Sequence, residues 1–336
     1  MADRIAVTGG LGFIGSAFVR RMAGRDADVL NIDSHTYAAD ARRIADAGGC
    51  VTTTAMDICD AELGRALASF RPDLVVHFAA ETHVTRSESN ADLFFRTNVE
   101  GTRNVIQAAT DCGAGLVVHI STDEVYGSCD GDPFSESDKL PGAGAATSAY
   151  ARSKAVADDI ALSFADRVPV IVARPTNCFG PWQNPEKAIP RWATRALRGE
   201  RIPVWGDGRQ VRDWMFVDDA CSAIDLVARK GTPGEVYNIG PQGSQRSNIE
   251  IANMIATAAI GDESIVYLTD YDRPNHDRRY AIDATKLRDL GWSASTELEE
   301  LVAETVEWYR ANEAWWKPLL SEAENLYSDD AARVKT

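Results

Sequence analysis

The stretch Ser121-Thr122-Asp123-Glu124-Val125-Tyr126-Gly127 puts a hydroxyl and two adjacent carboxylates directly after the apolar run Leu116-Val117-Val118-His119-Ile120. The run reads as a buried strand, so the polar residues emerge at its carboxyl end, where open α/β sheets bind ligands. Two carboxyls are costly to bury there without partners, and a reaction needing an acid and a base at neighbouring atoms would use them. Taken by itself the stretch reads equally well as a capped polar turn. A second pair bears on the choice. Tyr150 and Lys154 lie four apart, and Ala155, Ala157, Ile160, Ala161 and Phe164 continue with helical spacing, so the two share one helix face. An ammonium beside a phenol is expected to lower its pKa, which lets Tyr150 take a proton from a substrate hydroxyl near neutral pH. Thr122 is placed to hydrogen-bond the same oxygen. A lone YxxxK is usually an ordinary exposed helix, and this one gains meaning from the elements around it.

The first of those elements is at the amino end. Arg4-Ile5-Ala6-Val7 reads as a strand, Thr8-Gly9-Gly10-Leu11-Gly12-Phe13-Ile14-Gly15-Ser16 as a glycine-rich turn, and Ala17 to Met22 as a helix. Gly9 permits a tight turn, Gly12 lets backbone approach a pyrophosphate, and Gly15 lets helix sit against strand. Phe13 and Ile14 then open the helix toward the phosphates. Val29-Leu30-Asn31-Ile32 is a second strand ending in Asp33, at the spacing of the acidic residue that holds adenosine ribose hydroxyls. A carboxylate there repels a 2′-phosphate, so NAD is expected rather than NADP; the alternative for Asp33 is a plain strand-end turn. Asp57 and Ile58 follow another β-rich run and could form an adenine edge or a simple loop. Ala79 and Ala80 end the strand Asp73 to Phe78 and are small enough for close backbone approach to a cofactor. Glu81 to Ser87 is a polar segment where a sugar could be gripped, with His83 either part of that grip or a structural histidine.

Val168 to Arg174 reads as a further strand, after which Pro175, Pro181, Pro185 and Pro190 break the pattern. The expected organisation is a cofactor domain over 1–175, joined by a strand and helix from about 205–240. A substrate lobe follows over 176–320, then a flexible tail over 321–336. Gly206 to Asp213 is a turn followed by cations, suited to phosphate or simply solvated, and 270–279 is a charge run of the kind usually found on solvated faces. Trp308, Tyr309, Trp315 and Trp316 read as an aromatic helix packed on the lobe.

These residues together resemble the extended short-chain dehydrogenase/reductase family, and within it the NDP-sugar 4,6-dehydratases. The resemblance runs nearly end to end through TGGLGFIGS, HFAAETHV, TNVEGT, STDEVYG, YARSK, GPWQNPEKAIP, VWGDGRQVRDW, YNIG and RPNHDRRYAIDATKLRDLGW. It implies a Rossmann-type doubly wound parallel sheet with a smaller mixed α/β lobe, bound NAD, and an NDP-glucose substrate, dTDP-glucose above others. Thr122, Tyr150 and Lys154 match the family's oxidation triad, Asp123 its general acid and Glu124 its general base. Asn177, Glu186 and Lys187 match sugar-contacting positions, and Arg212, Asn248, Arg273 and His276 match residues that hold the nucleotide diphosphate. Thr82 stands where Ser is common, Thr85 where Asp is common, and Thr176-Asn177-Cys178-Phe179 where SNNY is usual. The implied reaction oxidises C4, eliminates water across C5 and C6, and returns the hydride to C6 with no net redox change. A UDP-sugar 4-epimerase and a UDP-glucuronate decarboxylase are the rivals within the family. The epimerase needs no acid at position 123. From another class, a non-catalytic NAD-binding regulator typically loses the Tyr/Lys pair kept here. The family also implies a homodimer through the helix beginning near Asn98 and the helix bearing Tyr150.

A net charge of −15 argues against a nucleic-acid surface, which needs clustered Lys and Arg, but allows a phosphorylated small molecule gripped by a few local cations. No run approaches a membrane span, and the first residues lack a signal peptide's apolar region, so a cytoplasmic enzyme is expected. The six cysteines contain no CxxC pair and the five histidines are scattered, so no metal is expected.

Overall fold

Short apolar runs rich in Val and Ile fold as strands covered on both faces. The structure, a computed structural model, describes residues 4–141, 148–271 and 277–327. The chain lays down β1 (Arg4–Thr8), β2 (Asp28–Asp33), β3 (Cys50–Ala55), β4 (Leu74–His77), β5 (Leu116–Ile120) and β6 (Val170–Pro175) in turn. It places β7 (Asn177–Phe179), β8 (Ile202–Trp205) and β9 (Val211–Phe216) elsewhere, then returns with β10 (Val236–Ile239). The seven strands β10-β6-β5-β4-β1-β2-β3 form one all-parallel sheet. Strand order reverses between β1 and β4, which leaves a crevice at their carboxyl ends. The doubly wound fold read from the sequence is the fold that forms.

Helices cover both faces of the sheet. Phe13–Ala23 and Val217–Lys230 pack together on one, burying Phe18, Val19, Met22, Ile224 and Val227. Thr102–Asp111 and Ala149–Ser163 lie on the other with Val105, Ile106 and Ile160 inward. The smaller lobe is mixed. β9 pairs antiparallel with β11 (Gln245–Ser247) and parallel with β7, while β8 pairs with β12 (Val266–Thr269). Its own core joins Ile189, Trp192, Ile251, Ile255, Val302 and Trp316. The Asn248–Ile260 helix of this lobe starts in a capping box, with Ser247 N–H donating to Glu250 Oε2 at 2.7 Å and Ser247 Oγ accepting from Glu250 N–H at 3.4 Å. That cap fixes where Asn248 enters the site.

The carboxyl end differs from expectation. Residues 321–327 are packed rather than frayed: Leu320–Asn325 is a helix with Ala323 buried, Glu322 pairs with Arg86 at 3.0 Å, and Glu324 pairs with Arg198 at 2.6 Å. The Tyr327 hydroxyl donates to the Glu186 carbonyl. The partners come from residues 86, 186 and 198, far away in sequence, so no local pattern announces the docking. Residues 328–336 lie outside the described ones. No helix among the described residues is long and apolar enough to cross a membrane.

Candidate active site

The crevice at the sheet's carboxyl edge is a cavity of about 790 Å³, and its floor is the glycine turn. Gly9 has φ +75°, and a Cβ there would lie 2.6 Å from Ala79 N; a Cβ on Gly15 would lie 2.3 Å from Gly9 O. Both contacts are with backbone, which cannot step aside, so side chains are excluded where the helix begins. The Phe13–Ala23 helix therefore presents its amino end to open space, the arrangement that suits a pyrophosphate. Asp33 lines the same cavity and is held by two backbone donors, Leu11 N–H and His35 N–H, each at 2.9 Å. Each carboxylate oxygen keeps lone-pair capacity for a ribose hydroxyl. Arg43 also reaches the cavity, but its donors go to the carbonyls of Leu11, Ala38 and Trp182, so it is not set up to grip a 2′-phosphate. Asp57, fixed by Arg96 at 2.8 Å, lies on the rim with Ile58, Ala79 and Ala80. A dinucleotide fits these residues.

β5 carries the chemistry to the other end of the cavity. Directly after it, Thr122 caps the turn Asp123–Tyr126, accepting from Glu124 N–H at 3.3 Å and donating to Asp123 Oδ1 at 3.2 Å. Behind the turn, the Tyr126 hydroxyl is locked by Asn238 Oδ1 at 2.8 Å and Arg174 at 2.7 Å. Asp123 is buried, and its Oδ2 has no hydrogen-bond partner among the described residues. Burial, then the charges of Glu124 and Asp213, push its carboxyl well above the usual range, against smaller opposing effects from Arg212 and Thr122. That shift favours the protonated carboxyl, the form that can donate a proton. Asp213, itself raised to about 6 by burial, is a contributor that sequence reading missed.

Tyr150 and Lys154 sit on successive turns of the Ala149–Ser163 helix and both line the cavity. The expected lowering of the Tyr150 phenol is not what this pocket produces. Burial, followed by the Glu124 charge, pushes it up, and the hydrogen bond with Thr122 only partly offsets this. The Lys154 ammonium donates to the Ile120 carbonyl at 2.7 Å, and burial lowers its own pKa to about 8. Spacing along a helix showed which face the pair shares; it could not show that complete burial and the carboxyls of Glu124, Asp123 and Asp158 act on the phenol as well.

A second cavity, about 200 Å³, opens beside the first, and Glu124, Asn177, Glu186 and Lys187 line both. His83, Arg212 and Asn248 line the second. Arg212 is buried, stacked 4.0 Å over Tyr280, with donors on the carbonyls of Val211 and Asp277. Glu186 accepts from the Tyr37 hydroxyl at 3.2 Å and lies 3.7 Å from Arg86. Arg273 and His276 lie outside the described residues. Sequence reading did not single out Arg191, Trp205, Tyr280 and Tyr327, which complete this wall. One arginine and three aromatics on four unrelated segments carry no spacing signal. The structure thus joins a dinucleotide-sized cleft to an aromatic and cationic recess, with an acid, a carboxylate and a phenol near their junction.

The sequence matches the NAD dependent epimerase/dehydratase family over residues 5–240. The chain belongs to this family. Among its relatives is the dTDP-glucose 4,6-dehydratase of Streptomyces griseus, 41% identical over 329 residues, with 95% of this chain and 98% of that protein covered. The dTDP-glucose 4,6-dehydratase of Neisseria meningitidis serogroup B is 40% identical over 348 residues, covering 95% of this chain and 96% of that one. In structure, this family member is similar to DesIV, a dTDP-glucose 4,6-dehydratase from Streptomyces venezuelae crystallised with NAD and dTDP bound. The TM-score is 0.87 at 42% identity, covering 94% of this chain and 99% of that chain. The NAD-dependent epimerase/dehydratase assignment agrees with the extended short-chain dehydrogenase/reductase resemblance seen in the sequence.

Proposed function

We propose that this chain is an NAD-dependent dTDP-glucose 4,6-dehydratase, which converts the nucleotide glucose to its 4-keto-6-deoxy form. The observation that carries the reading is Asp123: a buried carboxyl, raised in pKa, adjacent in sequence to a carboxylate at the meeting point of two cavities. An epimerase has no use for such an acid, because nothing is eliminated. The curated relatives of matching length support the same choice.

In this reading Tyr150 takes the C4 hydroxyl proton while Thr122 holds that oxygen. Bound NAD supplies reversible hydride transfer, from C4 at the outset and back to C6 at the end, and a positive charge of the sign that lowers a phenol pKa. The C4 ketone acidifies the neighbouring C5–H. Glu124 removes that proton, Asp123 protonates the departing C6 hydroxyl, and water leaves. A proton then returns to C5. The raised pKa of Asp123 favours its protonated form, and two adjacent acids in a desolvated site resist ionising together. Arg212 and Asn248, with Lys187 and Glu186, hold the sugar nucleotide across the second cavity. Arg273 and His276 join them on the strength of the family resemblance alone.

Incubating the purified protein with dTDP-, UDP-, CDP- and GDP-glucose without added cofactor tests this by mass spectrometry. The dTDP-sugar is expected to lose the mass of one water with no net consumption of NAD. If no nucleotide hexose loses water, the reading is wrong. The working form proposed is a cytoplasmic homodimer, which the family resemblance implies. Light scattering showing a monomer, or a membrane-bound fraction on cell lysis, would remove those two parts of the proposal.

A further inference from the structure

Lys154 rests on a group of buried side chains that the proposed reaction leaves unused. Asp158 follows Lys154 by one helical turn, so Tyr150, Lys154 and Asp158 form a row along the Ala149–Ser163 helix. Asp158 is fully buried, and Arg174 on β6 holds it with Nε donating to Oδ2 at 2.9 Å. Its other oxygen lies 3.5 Å from His119 Nε2, and the same nitrogen lies 3.5 Å from the Lys154 ammonium. The imidazole is therefore a spacer between a cation and an anion. It is neutral, because burial pushes its pKa to about 4. His77 on β4 lies against it, ring centroids 5.3 Å apart, and is itself held between Thr8 at 2.7 Å and Thr102 at 2.9 Å.

The charged and titratable groups around Lys154 come from four elements. Tyr150 and Asp158 share its helix, His77 lies on β4, Arg174 on β6, and β5 supplies His119 with Asp123 and Glu124 just beyond its end. Asp158 is the one whose charge opposes the loss of the Lys154 proton, which burial otherwise favours. A buried ammonium that otherwise meets the Ile120 carbonyl dipole and a neutral imidazole needs that counter-charge to stay protonated above neutral pH.

We propose that Asp158, anchored by Arg174 and reaching Lys154 across His119, is a positioning residue that holds the Lys154 side chain and keeps its ammonium charged through the working pH range. This rests on the reading of Lys154 as the cation that supports Tyr150 as a base. A charged Lys154 stabilises the phenolate, so loss of its proton ends turnover on the alkaline side. Removing the Asp158 charge lowers the Lys154 pKa and moves that alkaline limb to lower pH.

The test uses the NAD-loaded enzyme and two readouts. One is a pH titration of the Lys154 side chain by NMR of 13Cε-lysine protein, assigned with Lys154→Met, which requires no substrate and so stands even if the dehydratase reading fails. The other is the pH profile of kcat with dTDP-glucose. Asp158→Asn is expected to lower both the Lys154 pKa and the alkaline limb by about one unit or more, leaving KM within about twofold. His119→Leu, which removes the spacer but spares the Asp158–Arg174 pair, moves both in the same direction. His119→Gln, whose amide can face either neighbour, restores them. An unchanged Lys154 pKa in folded Asp158→Asn overturns the proposal, and should that variant not fold, an unchanged value in His119→Leu does the same.

Discussion

Asp123→Asn will turn over dTDP-glucose about 10² to 10⁴ times more slowly than the wild type, while the first oxidation, followed by rapid-mixing absorbance of reduced nicotinamide, stays within a few-fold. The amide matches the carboxyl in size but has no proton to give the C6 hydroxyl, so the block falls on elimination. An equal loss in both steps would remove the acid role and make Asp123 a residue that shapes the pocket. Stability should move the other way. Asp123 has a folded pKa raised above its unfolded one, so ionising it favours the unfolded chain. The penalty is absent at acid pH, where the carboxyl is protonated in both states, and grows as pH rises above the unfolded pKa. Removing the carboxyl removes the penalty. Asp123→Asn is therefore expected to melt no lower than wild type at pH 7, with any gain shrinking as pH falls through the carboxylate range. A slower, more robust variant is the signature of a group kept for chemistry rather than for folding.

Glu124→Gln is expected to cut the appearance of solvent deuterium at C5 by about 10² or more, measured by mass spectrometry of product formed in deuterium oxide. Glu124 lines both cavities, and the Thr122 cap fixes its backbone, so the substitution takes away basicity with little change of position. Label entering at the wild-type rate would place the base elsewhere. The two variants together separate the halves of the elimination: one stalls with C5–H still exchangeable, the other with C5–H inert.

Much of this molecule can be read from local pattern, because a buried parallel strand must be apolar along its length and a phosphate turn must be made of glycine. Strands β1 to β6, the Gly9, Gly12 and Gly15 turn and the helix carrying Tyr150 and Lys154 all follow from runs and spacings within about twenty residues. So does Asp33, since its distance from the turn is set by one helix and one strand. The aromatic wall of the second cavity is different. Trp205, Tyr280 and Tyr327 meet there from β8, from the segment after 277 and from the carboxyl end. Tyr327 stood in a stretch read as a tail because its partners, Glu186 and Arg191, lie more than a hundred residues earlier.

The amino-acid order by itself determined the kind of site: a dinucleotide turn, a phenol and ammonium on one helix face, and two acids at a strand end. Only the folded chain decided the protonation states on which their chemistry depends. A pKa responds to burial and to every charge nearby, whichever segment supplies it. Asp123 is driven up by burial first, then by Glu124 beside it and by Asp213 from the other lobe, and Tyr150 is raised where helix spacing alone predicts lowering. Lys154, lowered by burial, is balanced by Asp158, an aspartate that the sequence shows only as one more turn of helix.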